Sequence, residues 1–360
     1  MVAPLGANGI NEKRVQIHGP GEPWNRANWD AYVQSRADAS PYHASAFRSL
    51  IEDVFHHPTF YLSTTDPENK ITGVLPLVRL RSRLFGDFMV SMPYFNYGGA
   101  LSDDPGVSEA LMLRAASLAR ELGVRHVEFR DATPRDSRWP VRTDKVAMYL
   151  ALPDSEELLW KQLGPKLRAQ IRRPFKDGRE ITVAQGGVDL LPDFYHVFAT
   201  NMRDLGTPVY SRRLFSEILR RLPESSRIMV IRVAGQPAAA GFLLQGPGRM
   251  EIPWASSLSA YNRIGVNMLL YWEALKYSIE RGSRLFDFGR SSAGSGPYVF
   301  KRQWGAEPRQ LYWHYWLRSG DQPPALNPAN PRYRLLIQIW QKLPLAIANR
   351  LGPPIVRNLP

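Results

Sequence analysis

The sequence predicts a mixed α/β protein built from two copies of one unit. Three observations carry this. The 360-residue length and ordinary globular composition, 44% hydrophobic and 22% charged, suit two cores rather than one. A series of hairpin, strand, helix, glycine stop and strand occurs in the first half and again in the second. The two passes agree best at their ends: Glu121-Leu122-Gly123 precedes Val127-Glu128-Phe129-Arg130, and Glu280-Arg281-Gly282 precedes Phe286-Asp287-Phe288. Self-similarity of this kind marks a duplicated α/β unit with mixed sheets.

In chain order, residues 1–12 read as a loose leader, and a short strand comes next near 14–18. Helices are expected at 24–36 and 45–54, then strands at 59–63, 71–80 and 88–92, the first two joined by the turn Asp66-Pro67-Glu68-Asn69. Leu111, Ala115, Leu118 and Leu122 recur at helical spacing, so 107–122 is a helix closed by Gly123; strands are then expected at 124–130 and 145–152. In the joining segment, Asp154 or Ser155 can cap a helix with Glu156 and Glu157 in its first turn, and Pro165 and Pro174 break the rest of the segment into short pieces. The second half offers a helix at 192–203 with Gly206 as its stop and strands at 228–234, 238–244 and 250–255. Next is a helix at 266–281, stopped by Gly282, then a strand at 285–288 and a Gly/Ser-rich loop ending in Phe300-Lys301. After a linker from Asp321, Leu335, Leu336, Ile339, Trp340, Leu343 and Ile347 outline an amphipathic helix, with Pro344 starting a new turn or kinking it. The domains are expected at 13–152 and 153–317, with a tail at 318–360.

Composition excludes several chemistries. Without cysteine there is no disulfide, thiolate metal site or cysteine nucleophile. His18, His43, His56, His57, His126, His196 and His314 show no metal-ligand spacing, so no metal site is expected. Gly289 and Gly294 have Walker spacing, but Ser295 stands where the lysine is required. No GxGxxG lies between a strand and a helix, and no GxSxG elbow is present. The N-terminus lacks a signal-peptide pattern and no apolar run reaches bilayer length, so a cytoplasmic protein is expected.

The net charge of +13, from 46 Lys+Arg against 33 Asp+Glu, favours anionic partners: RNA, phosphorylated small molecules or an anionic lipid surface. Arg79, Arg81 and Arg83 alternate on one strand face and read either as a solvated strip or as a phosphate-attracting one. Lys161, Lys166, Arg168, Arg172, Arg173, Lys176 and Arg179 form a cluster nearly free of acid, which makes Arg172 and Arg173 candidates for a phosphate-bearing partner. Asn201, Arg203 and Asp204 crowd one helix end, either as a pocket wall, with Asn201 and Arg203 on substrate, or as a salt-bridged cap. The tail carries Arg332, Arg334, Lys342, Arg350 and Arg357 around its apolar residues; it packs onto the body or lies on an anionic membrane.

Several stretches together resemble the FemAB-like acyltransferases of the wider GNAT-type fold. They are Leu75–Val78, the SMPYFNYGG run from Ser91, VEFRD from Val127, KLRAQIRRPFKDG from Lys166, NMRDLGTPV from Asn201, FDFGRS from Phe286 and YVFKRQWG from Tyr298. In particular the chain resembles the members associated with exosortase/PEP-CTERM systems of exopolysaccharide-producing bacteria. The resemblance implies two tandem GNAT-like acyltransferase domains with a central cleft. It implies no tightly bound cofactor, a donor that is acyl-CoA or aminoacyl-tRNA, and an acceptor among envelope or polysaccharide precursors. The Phe-Lys pair of the Fem pattern falls on Phe300 and Lys301, the lysine engaging phosphate or developing negative charge. The GNAT pyrophosphate loop is matched poorly: Asn262, Gly265 and Asn267 take its positions, and Arg263 is one place out of register.

The expected activity is therefore acyl or aminoacyl transfer to an amine or hydroxyl. Lys301, with backbone donors near Gly289, would stabilise the oxyanion, with Tyr298 and Phe300 beside it. Arg290 and Arg263 are candidate donor-phosphate contacts, and Glu251 or Asp287 could take the acceptor proton. The alternatives are a CoA-dependent N-acetyltransferase and a non-catalytic polyanion- or glycan-binding protein.

Overall fold

A computed structural model describes residues 15–82, 86–135, 139–318 and 331–359. The leader, Arg83, the linker and the side chains of Arg332 and Arg334 lie outside the described parts. The chain folds as two compact units.

The first unit holds the described residues up to Lys145 together with 310–318 and 358–359. Its strands are β1 (Gln16–His18), β2 (Thr59–Thr65), β3 (Ile71–Ser82), β4 (Gly86–Val90), β5 (Leu101–Ser102), β6 (His126–Asp131) and β7 (Val141–Arg142), with β15 (Tyr312–Leu317). The sheet order is β1-β2-β3-β4-β6-β15-β7, and β5 pairs with β3. Helices α1 (Arg26–Gln34) and α2 (Ala46–Phe55) precede the hairpins, and α3 (Pro105–Glu121) crosses over so that β6 runs parallel to β4. Asp104 starts α3 by accepting the Gly106 N–H at 2.7 Å, with Pro105 in the first turn. Gly123, at φ +69°, ends it. Leu111, Ala115 and Leu118 are buried, as their spacing predicts, against Leu75, Leu77, Val127 and Phe129.

The second unit holds 146–309 and 331–357. Its strands are β8 (Val146–Ala151), β9 (Ile181–Gly186), β10 (Ser226–Val233), β11 (Gln236–Gly246), β12 (Arg249–Ser257), β13 (Leu285–Ser291) and β14 (Glu307–Gln310), in the order β14-β8-β13-β12-β11-β10-β9. Helices α4 (Glu156–Gln162) and α5 (Pro165–Arg172) lead in, and α6 (Leu191–Asp204) and α7 (Arg212–Arg221) come after β9. The crossover α8 (Val266–Glu280) makes β13 parallel to β12, as α3 does for β6 and β4. Then come α9 (Gly296–Gln303) and the tail helices α10 (Pro331–Gln341) and α11 (Leu345–Val356). Pro344 separates the last two, so the expected single amphipathic helix is two.

Antiparallel strands, a crossover helix and a parallel strand thus occur in both units, and one exchange departs from the expected boundaries. β8 comes after the first repeat but pairs with β13, and β15 comes after the second repeat but pairs with β6. The chain passes between units at 145/146 and 309/310, not at 152/153 and 317/318. Alternation along a strand reports its buried face and carries no information about which sheet receives it.

Candidate active site

The second sheet divides at one point. Parallel pairing of β12 with β13 runs through Arg249–Leu285, Met250–Phe286 and Glu251–Asp287. Past that pair β12 stays with β11 as far as Ser257, while β13 stays with β8 as far as Ser291. Each diverging strand carries a register shift. On β13 it lies between Asp287 and Arg290, around Gly289 at φ +75°, a backbone that suits glycine.

Side-chain alternation then sets the faces. Phe286 and Phe288, Met250 and Ile252, and Met148 and Leu150 all enter the core cluster that includes α8. Asp287, Glu251 and Tyr149 lie between those residues, so they share the opposite face, and Asp287 is in register with both others. Asp287 and Glu251 are both 0% exposed. Arg249 stacks over the Tyr149 ring, 5.7 Å from its centroid.

α9 brings Lys301 to this place. Ser295 caps the helix by accepting the Tyr298 N–H, and Pro297 sits in the first turn. Those two signals stand in the sequence, yet a loop was expected here, because the Gly/Ser composition outweighed them. Lys301 Nζ donates to the carbonyls of Gly289 and Arg290, each at 3.0 Å. The ammonium thereby satisfies carbonyls that the bulge turns out of the ladder. Burial drives the Lys301 pKa down to about 8, against the pull of the Asp287 and Glu251 charges.

Asp287 shows the reverse perturbation. Burial pushes its carboxyl up to about 7, partly offset by the Gly289 N–H and the Lys301 charge. Oδ1 accepts the Gly289 N–H at 2.8 Å, and Oδ2 has no hydrogen-bond partner among the described residues. A buried acid and a buried base are thereby both displaced toward neutrality, the pattern of a functional-site candidate. The Gly289 N–H, expected as an oxyanion donor, is instead committed to Asp287.

The remaining candidates divide. Phe300 is half-buried and packs edge-on against Tyr271, with ring centroids 5.0 Å apart, and Tyr298 rests on the same core; both anchor α9. Asn201 Nδ2 donates to Ser256 Oγ at 3.1 Å, on the part of β12 beyond the division. Arg203 pairs with Asp204 at 2.7 Å, and Gln341 of α10 donates to the Asp204 carbonyl, so this helix end is a capped, salt-bridged one. Arg172 and Arg173 are exposed at the end of α5; Arg172 lies 4.9 Å over the Trp160 ring. Arg263 is exposed in the 3-10 turn Ser259–Ile264 before α8. Arg290 lies on β13 opposite Ala147. Gly265, at φ +81°, begins α8, and the Gln170 carbonyl lies 3.3 Å from where its Cβ would be, so α5 packs on this turn. Tyr149 was not expected, since nothing in the sequence places β8 beside β13.

The fold is matched by known proteins. Residues 165–302 fit the family model described as an acetyltransferase (GNAT) domain. The crystal structure of FemX aligns with a TM-score of 0.65 at 12% identity, covering 88% of this chain and 99% of that one. The C-terminal domain (DUF2156) of a putative lysylphosphatidylglycerol synthetase from Agrobacterium fabrum aligns at 0.54 and 13% identity, covering 81% and 91%. L-PGS from Bacillus licheniformis aligns at 0.53 and 13% identity, covering 89% and 98%. A search of curated proteins gives no match. At these identities the likeness to solved structures is one of fold. Residues 165–302 carry a GNAT-type acetyltransferase domain, and the chain shares the fold of FemX.

Proposed function

We propose that the protein transfers an acyl or aminoacyl group from an activated donor to an amine or hydroxyl of a cell-envelope or polysaccharide precursor. The observation that carries this reading is the buried Asp287–Lys301 pair where the second sheet divides. Acyl transfer needs a proton acceptor for the attacking group and positive charge for the tetrahedral oxyanion. Lys301 has used two N–H groups on backbone carbonyls and keeps a third for the oxyanion. Asp287 is closed to solvent, so it takes the proton through a bridging water rather than from a bulky acceptor directly. Glu251 stands in register with Asp287, and its charge would act on Lys301.

On this reading the exposed guanidiniums of Arg172, Arg173 and Arg263, near the start of α8, take the donor's phosphates. The turn before α8 favours aminoacyl-tRNA over acyl-CoA as donor. It is a 3-10 turn whose Gly265 N–H bonds to the Asn262 carbonyl, and the Gln170 carbonyl faces it. The Gln170 carbonyl would face a pyrophosphate bound at this turn. The description of the Agrobacterium protein as a putative lysylphosphatidylglycerol synthetase supports aminoacyl transfer to an envelope component.

The GNAT domain match favours a second reading, a CoA-dependent N-acetyltransferase. Calorimetry with acetyl-CoA separates the two. Binding at micromolar ligand favours the second reading, and none at millimolar ligand removes it. For the leading reading, envelope and polysaccharide material from a deletion strain is compared with wild type by mass spectrometry. A missing acyl or aminoacyl group is expected, and identical spectra would count against it.

A further inference from the structure

The tail helices offer a surface that the transferase reading does not use. α11 presents two parallel stripes. Ala348, Gly352 and Val356 are buried, and Gly352 seats on the Val209 backbone, with its Cβ position 2.7 Å from Val209 N. One position earlier on each turn, Ile347, Leu351 and Ile355 are 40–47% exposed. α10 adds Leu335, Leu336 and Ile339, each more than half exposed. Both helices pack on α6, and Leu205, just past its end, is 60% exposed. Scattered exposed leucines are ordinary, but a run of aliphatic side chains along two consecutive helices is the kind of patch that marks an interaction surface.

Charge selects the partner. From residue 322 to the end the sequence has no Asp or Glu, and it carries Arg332, Arg334, Lys342, Arg350 and Arg357. Lys342 and Arg350 are exposed alongside the aliphatic stripes. A second copy docked here across a two-fold axis would face like charge with like. An anionic bilayer offers negative headgroups for the cations and an acyl boundary for the aliphatics. No helix among the described residues is long and apolar enough to cross a membrane, so contact is in the interfacial plane. We propose that α10 and α11 dock this protein on the surface of an anionic membrane through Ile347, Leu351, Ile355 and the aliphatics of α10, with Lys342 and Arg350 against the headgroups.

The test is sedimentation of the full chain with vesicles of phosphatidylglycerol and phosphatidylcholine in equal parts, and with phosphatidylcholine alone. Strong binding to the first, several-fold weaker at high salt, and little to the second are expected. The triple variant Ile347→Gln, Leu351→Gln, Ile355→Gln should bind about tenfold less or weaker, since it removes the apolar insertion. Its substitutions are on exposed side chains, so an unchanged circular dichroism spectrum is expected. Lys342→Gln with Arg350→Gln should bind several-fold less and lose part of the salt dependence. The proposal fails if wild type does not pellet with the anionic vesicles, pellets equally with both, or if the triple variant binds as wild type does. It also fails if light scattering shows a dimer that only the triple variant dissolves while wild type ignores vesicles.

Discussion

Asp287 and Glu128 occupy the same place in the two repeated units, but only Glu128 is held in a salt bridge. Each closes the short parallel pairing of its sheet, opposite Glu251 and Val90 respectively, and each has a tyrosine across the antiparallel neighbour, Tyr149 and Tyr315. Two residues on, the first unit has Arg130 and the second has Gly289. Arg130 Nε donates to Glu128 at 2.6 Å, and Tyr315 OH donates to the other carboxylate oxygen at 2.8 Å. Trp313 stacks on the guanidinium at 4.6 Å. That pairing holds Glu128 below the usual carboxylate range despite complete burial. Replacement of the arginine by glycine leaves Asp287 with a backbone N–H and a neighbouring lysine instead, and its pKa rises. One copy is built for stability, and the other keeps a proton in play.

This difference gives the rate a bell-shaped pH dependence. With Asp287 as proton acceptor, kcat should rise through about pH 7 as its carboxyl ionises, and fall through about pH 8 as Lys301 loses its charge. Asp287→Asn should remove the acidic limb and lower kcat by about 10²–10⁴-fold. A pH–rate profile of both proteins decides it; an unchanged acidic limb in the variant assigns that limb elsewhere.

The same carboxyl links stability to pH. Its folded pKa is raised, so its stabilising contribution is complete below the ordinary value of 3.8 and is lost as pH rises through about 7. Asp287→Asn lacks this loss. Thermal melts should show the variant gaining on wild type between those limits and holding a constant margin above them.

Lys301→Met should abolish most transfer, with kcat lower by about 10²–10³-fold, the range for losing one oxyanion donor. It also orphans the Gly289 and Arg290 carbonyls, so a stability loss of about 1–3 kcal/mol is expected in denaturant titration. Wild-type turnover in a folded Lys301→Met protein would remove the lysine from the chemistry.

Glu128→Gln tests the other copy. It breaks a buried ion pair and should cost about 3–5 kcal/mol without altering kcat per folded molecule. Glu128 has a lowered folded pKa, so the contribution it makes is present above its ordinary 4.5 and fades as pH falls; the gap to wild type should narrow in acid.

Gly352→Ala should loosen the tail. The new methyl would press on the Val209 backbone, and overpacking of this kind costs about 1–3 kcal/mol. Limited proteolysis should cut after α10 sooner in the variant, with transfer in the intact fraction unchanged.

Much of this was legible in the chain. Spacing gave α3 and α8 within two residues, and the repeated glycine stop and acidic-Phe strand exposed the duplication. Asp287, Glu251 and Lys301 were candidates from residue type, position and family resemblance. What local pattern could not supply was partnership. The exchange of β8 and β15 between sheets, the bulge at Gly289 and the burial that moves Asp287 and Lys301 toward neutrality all arise from contacts among residues far apart in sequence. Periodicity is a property of neighbours along the chain, so it determines helices, strands and their buried faces. A pKa is a property of neighbours in space, and only the tertiary structure decides which carboxylate is paired and which is left to carry a proton.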